Sequence, residues 1–148
     1  MTINLNELRA TTNNTNQQKN KEREEWLATF PELIRQCNPA EIAQKLSELI
    51  SAEAKAKAQK GACSATVSLL LCAYYQYKNE NELSCWNVIK TVFDRDNEDM
   101  PGTLRRLYPL LENEIRSQLN DKNIKIKVDD NLHGDIGYEL KLTASLKW

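Results

Sequence analysis

The longest stretch without a charged side chain, residues 61–77, constrains the fold more than any other part of the sequence. It reads GACSATVSLLLCAYYQY and lies between two lysines. A segment that is apolar or small all the way round is typical of a helix buried on most sides by its own protein. Ser64, Ser68 and Cys72 recur at every fourth position, which gives one narrow stripe where another backbone can approach. The sequence therefore predicts a central helix over residues 61–77.

The segment before this stretch carries clear helix boundaries. Pro31 ends or kinks a first helix, because proline lacks an amide donor and clashes with the preceding turn. Asn38, Pro39 and Glu41 then provide the N-cap, N1 and N3 residues of a second helix. Gly61 can end that helix in the left-handed conformation.

Helical spacing of apolar residues returns after the uncharged stretch. It predicts one helix through residue 93 and another from Thr103 to Leu119, which Pro109 should kink or restart. From residue 123 the period changes to 2, and apolar side chains alternate with polar ones as in a β-hairpin with one buried face. The predicted fold is α+β: a mostly helical domain of about five helices around residues 61–77, closed by an antiparallel β-hairpin over residues 123–148.

The N-terminal residues 1–20 are predicted to be separate from the domain, which spans residues 21–148. Ile3, Leu5 and Leu8 form a short apolar anchor, and the following residues are a polar linker of low complexity. Three alternatives remain open for the anchor: docking on its own domain, pairing with a second copy, or binding another protein.

The two strands of the predicted hairpin differ in length, which leaves about half of the last strand without a partner. An isolated two-stranded ribbon is marginal in water, so the free half should find another strand. Residues 2–6, a second copy and a foreign protein are the alternatives. The candidate contacts are Thr143, Ser145 and Trp148, and closure within the chain or a homodimer through this C-terminal edge is favoured over a foreign partner.

No group of residues matches a metal, cofactor or catalytic motif, so neither a cofactor nor an enzymatic activity is predicted. The cysteines are too far apart in sequence for a CxxC or zinc-knuckle motif and are interpreted as structural. His133 lies among aspartates, in a segment whose composition is typical of a turn. Four acidic residues form a candidate contact loop for a basic partner: Asp94, Asp96, Glu98 and Asp99.

Charge disfavours a general nucleic-acid binder, because 20 basic residues face 21 acidic ones and give a formal net charge of −1. A local basic surface is still open as an alternative. Lysines on one face of a ribbon can follow a phosphate backbone, although lysines also protect edge strands from unwanted pairing. The candidate nucleic-acid contacts are Arg105, Arg106, Lys125, Lys127, Lys141 and Lys147.

Together these features favour a small non-catalytic interaction protein, acting on a protein partner or by self-assembly. Accessory and inhibitory proteins of phages and mobile elements are often of this kind. A nucleic-acid-associated accessory protein is the alternative. The expected location is the cytoplasm, because the N-terminal residues lack the basic and apolar regions of a secretory signal and no membrane span is predicted.

Overall fold

The computed structural model describes residues 2–75, 78–79, 85–95, 100–132 and 137–148. Its elements combine helices with an antiparallel sheet, which confirms the mixed helix-and-sheet class. The chain divides into two compact units, Met1–Glu32 and Leu33–Trp148. In chain order the elements are α1 (Leu5–Ala28), α2 (Phe30–Gln36), α3 (Pro39–Gln59), β1 (Ser64–Tyr75), β2 (Lys78–Asn79), α4 (Trp86–Arg95), α5 (Met100–Gln118), β3 (Lys125–Leu132) and β4 (Gly137–Lys147).

The predicted central helix over residues 61–77 is wrong, because Ser64–Tyr75 form strand β1. In the first half of β1, exposed Thr66 and Ser68 alternate with half-buried Val67 and Leu69, which is the period of a strand. A bulge between Leu70 and Cys72 then shifts the register by one residue. The extra residue interrupts the alternation: Cys72 pairs with Leu140 on the buried helix face, whereas Ser64 and Ser68 are exposed on the other face. The stripe that these three residues would form on a helix is therefore not present.

All four strands form one antiparallel sheet in the order β2-β1-β4-β3. The predicted hairpin is present as the β3–β4 pair, whose register runs from Lys125↔Ser145 to Leu132↔Tyr138. On its other side β4 pairs with β1, from Ser64↔Lys147 to Tyr75↔Gly137. The last strand is therefore central, and the free edge predicted for it is wrong: β1 occupies that edge.

Helices α3, α4 and α5 pack against the sheet, and α5 also packs against both α3 and α4, to form the core. The sheet residues that face them follow the strand alternation, so that one face is apolar and buried. Fully buried side chains come from both layers: Ile42, Leu46, Ile50, Leu71, Ile89, Leu104, Leu107, Leu111, Ile115, Tyr138 and Leu140.

Both predicted boundaries of α3 are confirmed. Pro39 is its first residue and Asn38 occupies the N-cap position in a left-handed conformation (φ 57°). The Asn38 side chain makes no hydrogen bond to a backbone amide of the helix, and its Nδ2 donates to Glu41 Oε2 instead. At the other end Gly61 has φ 82°, the amide of Gly61 donates to the carbonyl of Ala58, and that of Ala62 donates to Lys57. This pair of bonds is a Schellman motif, which ends the helix and turns the chain toward β1.

Within the first compact unit, the predicted polar linker is wrong because residues 5–28 form the single helix α1. Asn4 caps it by accepting from the amides of Asn6 and Glu7. The cap at Asn4 and the helix-forming residues 17–25 favour a helix at the two ends of this segment, although residues 11–16 are poor helix formers. Near its end, the rings of Trp26 and Phe30 meet edge to face at 5.5 Å between centroids.

Proline has different consequences at its two internal helix positions. Pro31 lies at the start of α2, directly after α1 ends at Ala28, which fits the predicted break. Pro109 lies inside α5, which continues as one helix from Met100 to Gln118. The restart predicted at Pro109 is therefore not observed.

Candidate functional site

The outer edge of β1 is the candidate functional site, and its backbone orientation follows from one hydrogen bond. The amide of Trp148 donates to the carbonyl of Cys63 at 2.9 Å, so Cys63 bonds toward β4. Because backbone groups alternate in direction along an antiparallel strand, Ala65, Val67 and Leu69 also bond toward β4. The amides and carbonyls of the intervening residues point away from the sheet: Ser64, Thr66, Ser68 and Leu70.

These outward groups have no backbone partner within the described residues. Beyond Leu70 the edge is closed, because the amide of Cys85 donates to the carbonyl of Leu71 at 3.0 Å and β2 pairs with the end of β1. The open edge therefore spans residues 64–70, and we call it the β1 edge. It lies in the second compact unit.

The side chains of the β1 edge carry no charge, which distinguishes it from most exposed strands. Ser64, Thr66 and Ser68 are exposed on the face of the sheet opposite the helices, whereas Val67 and Leu69 are half-buried on the helix face. Proteins usually protect a free edge with charge, proline or a covering element, since unpaired strand backbone recruits other strands. Within the described residues the β1 edge has none of these protections over most of its length.

The opposite edge of the sheet, on β3, is protected. The amide of Val128 points outward and donates to Glu112 Oε1 of α5 at 2.9 Å. Charged side chains of Lys125, Lys127 and Asp129 are exposed on the same strand. We call the Glu112 side chain the plug of this edge, because it occupies an outward backbone amide. An occupied amide combined with exposed charge hinders the addition of another strand. The two edges of this sheet therefore differ in their readiness to accept another strand.

We expect Glu112→Ala to lower the free energy of unfolding by about 1–2 kcal/mol, because it removes the acceptor of a partly buried amide. It should also increase association of the protein at high concentration, since the β3 edge loses its plug. Urea unfolding and static light scattering measure the two effects. Glu112→Gln keeps an acceptor and serves as the control; equal losses for both variants would contradict this role of the carboxylate.

A buried polar cluster lies between α5 and the helix face of the sheet. The hydroxyl of Tyr108 donates to Asp130 Oδ2 at 2.9 Å and also bonds to the hydroxyl of Tyr138. Both tyrosines are buried, at 8% and 2% exposure. Burial is the main cause that raises the pKa of Tyr108 and of Tyr138 above its usual value. Both hydroxyls are therefore neutral over the physiological range.

Three of the four cysteines are buried near this cluster: Cys37, Cys72 and Cys85. Burial, followed by the nearby Cys37, raises the pKa of Cys72 to about 12. A hydrogen bond with Cys37, followed by burial, raises the pKa of Cys85. The structural interpretation of Cys72 and Cys85 fits this placement, because a thiol that stays protonated is inert. Cys63 differs from the prediction of a buried apolar role, since it is exposed.

The predicted basic residues do not converge on one surface. The ladder register places Lys125, Lys127, Lys141 and Lys147 on the sheet face opposite the helices. Two of them are paired with carboxylates, Lys127 with Asp129 at 3.4 Å and Lys141 with Glu139 at 3.3 Å. Exposed Arg105 and Arg106 belong to α5, on the other side of the sheet.

The other predicted contact residues fall in three places. Ile3, Leu5 and Leu8 are exposed in the first compact unit, at 68%, 58% and 55%. Thr143 and Ser145 lie inside the sheet on β4, and Trp148 is half-exposed just beyond it. Of the acidic loop, Asp94 is exposed at the end of α4. The remaining acidic residues and the histidine lie outside the described residues: Asp96, Glu98, Asp99 and His133.

Comparison with known proteins gives no relative: no family model, curated protein or solved structure matches this chain. Among the described residues, His, Cys, Asp and Glu form no group of three or more able to hold a metal ion. No described helix has both the length and the apolar character needed to cross a membrane.

Sequence reasoning missed the β1 edge because it treated residues 61–77 as a helix. The signal was present in the alternation of Ser64, Thr66 and Ser68 with Ala65 and Val67. Such alternation over four to eight residues indicates a strand. Its position at an edge could not be read from these residues, because it depends on which strands pair.

Proposed function

We propose that this chain is a non-catalytic interaction protein that binds an extended protein segment at the β1 edge. The observation that supports this proposal is the contrast between the two edges of one sheet. The β3 edge is plugged by Glu112 and flanked by charge, whereas the β1 edge presents unpaired backbone and uncharged side chains. An edge left open beside a protected one is expected to have an occupant.

Strand addition would use the outward groups of the β1 edge directly. An extended segment would exchange main-chain hydrogen bonds with Ser64, Thr66, Ser68 and Leu70, and these bonds supply affinity. Specificity would come from the alternate side chains of the added segment. Those on one face would meet hydroxyls, and those on the other would cover half-buried Val67 and Leu69.

The placement of the titratable groups supports a non-catalytic role. Groups with strongly displaced pKa values are candidates for chemistry when they line a cleft. Here the pKa values of Cys72, Cys85, Tyr108 and Tyr138 are raised in the interior, with burial as a principal cause. Each group is thereby held in its protonated form, which supplies neither a nucleophile nor a base at neutral pH.

The test of this function is Thr66→Pro compared with Thr66→Ala. Proline removes one outward amide without removing a bond to β4, and an edge strand tolerates it. Binding of a protein partner should weaken by at least about tenfold in Thr66→Pro, because one main-chain hydrogen bond between the β1 edge and the added strand is lost. Affinity purification from the native host with quantitative mass spectrometry, followed by titration of the partner recovered, measures this loss.

Thr66→Ala keeps the amide and should retain full binding. Circular dichroism must show that both variants are folded. Partners recovered equally by the two variants would show that binding uses another surface, and the proposal would fail.

A second candidate, nucleic-acid association, has one observation in its favour: the register aligns four lysines on one sheet face. Asp129 and Glu139 offset two of them, and the arginines of α5 lie on the other side of the sheet. Steep loss of affinity with salt, and weakening in Lys125→Ala and Lys147→Ala, would favour this candidate. Salt-independent binding or none would remove it.

For the biological setting we propose an accessory or inhibitory protein of the cytoplasm, acting by occupying a surface on its partner. This setting agrees with a mode of action that uses backbone pairing and no catalysis. The exposed apolar residues Ile3, Leu5 and Leu8 are a further candidate contact of the same role.

A further inference from the structure

We infer that the occupant of the β1 edge is the β1 edge of a second copy, paired antiparallel about a two-fold axis at Val67. This inference rests on the proposed function and names the partner within it. It is carried by the symmetry of the open backbone, the side chains that the symmetry brings together, the charges near the contact and the closure of the assembly.

The open backbone is self-complementary. The outward residues Ser64, Thr66, Ser68 and Leu70 lie symmetrically about Val67, so a two-fold rotation places outward groups opposite outward groups. Ser64 then faces Leu70 of the second copy, and Thr66 faces Ser68. Each such pair can exchange both backbone hydrogen bonds of an antiparallel ladder. An isologous contact of this kind is the usual basis of a homodimer.

The same rotation matches side chains by chemistry. On the face opposite the helices, the exposed hydroxyl of Thr66 meets that of Ser68 from the second copy, a pairing that stabilises sheets. On the helix face Val67 meets Val67 of the second copy at a non-hydrogen-bonded position, where side chains are closest. Ala65 meets Leu69 there. The exposed apolar area of half-buried Val67 and Leu69 would thus decrease.

The contact between residues 64–70 of the two copies, which we call the seam, also brings no like charges together. Residues 61–77 carry no charge, so no like charges face each other across the two β1 strands. The nearest lysines by register are Lys141, beside Leu70, and Lys147, beside Ser64. Across the seam these two lie about three strand spacings apart, roughly 14 Å. That separation exceeds the Debye length of about 8 Å at physiological salt, so their repulsion is screened.

The assembly closes at two copies. Pairing of the β1 edges consumes the open backbone of both copies and joins the two sheets into one. The outer edges of the joined sheet are the two β3 strands, whose Val128 amides are occupied by Glu112. The bond from Cys85 to Leu71 sets the end of the seam on each side. A foreign strand would satisfy the same backbone, but the β1 edge itself supplies the matched length and side chains.

The first experiment measures mass against concentration by analytical ultracentrifugation for the full chain and three variants. We expect a dimer for the natural chain and for Thr66→Ala. The dissociation constant should rise at least about tenfold in Thr66→Pro. Thr66→Lys provides a second disruption that keeps the backbone amide, because it places like charges diagonally across the seam, roughly 7–8 Å apart. If Thr66→Pro does not fold, Thr66→Lys still tests whether the dimer uses the β1 edge.

The second experiment tests the register by crosslinking in a Cys63→Ser background, since Cys63 is the exposed thiol among the four cysteines. Val67→Cys should form an intermolecular disulfide on mild oxidation, because directly opposed residues lie within disulfide range. Ser64→Cys is the matched control: the two introduced thiols would be six residues apart along the ladder, about 20 Å, and should not crosslink.

Three outcomes overturn the inference. A chain that stays monomeric at all concentrations removes the second copy as occupant; an edge-dependent foreign partner would then leave the proposed function standing. A dimer equally stable in Thr66→Pro and Thr66→Lys would use another surface. Crosslinking of Ser64→Cys in place of Val67→Cys would contradict the two-fold axis.

Discussion

Replacing Leu142 with Asp is expected to destabilise the folded state severely, whereas Leu70→Asp should leave it largely intact. Leu142 is fully buried at the centre of the sheet, between Leu69 of β1 and Val128 of β3. An unpaired carboxylate in that position should cost about 4 kcal/mol or more. Total stabilities of domains are only about 5–15 kcal/mol, so this substitution should remove a large share of the free energy of unfolding.

Leu70 is the matched control because it lies on the neighbouring strand β1, one residue beyond Leu69, on the opposite face of the sheet and beside Lys141. Since it is only half-buried and gains a basic neighbour for the new carboxylate, Leu70→Asp should cost about 1 kcal/mol or less. A helix over residues 61–77 would instead have buried Leu70 and made this substitution severe. Urea unfolding followed by circular dichroism gives both values; equal costs would contradict the strand.

Alkaline pH is expected to unfold the protein steeply, between about pH 9 and pH 12. Cysteines and tyrosines in an unfolded chain ionise near pH 8.5 and 10. The pKa of Cys72 is raised to about 12 in the folded state, and those of Cys85, Tyr108 and Tyr138 are also raised. The unfolded chain therefore loses protons that the folded chain keeps, so stability is complete below the unfolded pKa and falls as pH rises.

The contribution of each group can be isolated by substitution. One group that is ionised only in the unfolded state lowers the free energy of unfolding by about 1.4 kcal/mol per pH unit. Above about pH 10.5, Tyr138→Phe should reduce the slope of stability against pH by roughly that amount. Chemical unfolding at a series of pH values measures the slope. An unchanged slope in Tyr138→Phe would contradict burial as the cause of the raised pKa.

The position of the candidate site depends on which element residues 61–77 form. The interpretation of residues 61–77 as a helix removed one strand from the predicted sheet and left the last strand with an apparent free half. In the structure that half pairs with β1, and the open backbone belongs to β1 itself. Strand addition therefore stays the proposed mode of action, but its position moves from Thr143 and Ser145 to residues 64–70.

The sequence by itself determined the features whose hydrogen bonds are local. The start of α3 follows from Asn38 and Pro39, and its end follows from Gly61, because caps act within a few residues of the terminus. The β3–β4 hairpin follows from regular alternation on both sides of a short connection. Each of these features is stabilised mainly by residues that are close in sequence.

Only the tertiary structure decided the role of residues 61–77 and the position of the open edge. The absence of charge indicated burial but not the element, since an uncharged run of this kind can belong to a strand or to a buried helix. The hydrogen bonds of β1 are made to β4, about seventy residues away in sequence, and the bulge at Leu70 concealed the alternation. Which backbone groups stay unpaired depends on all the strand pairings together, so the candidate site emerged only from the assembled sheet.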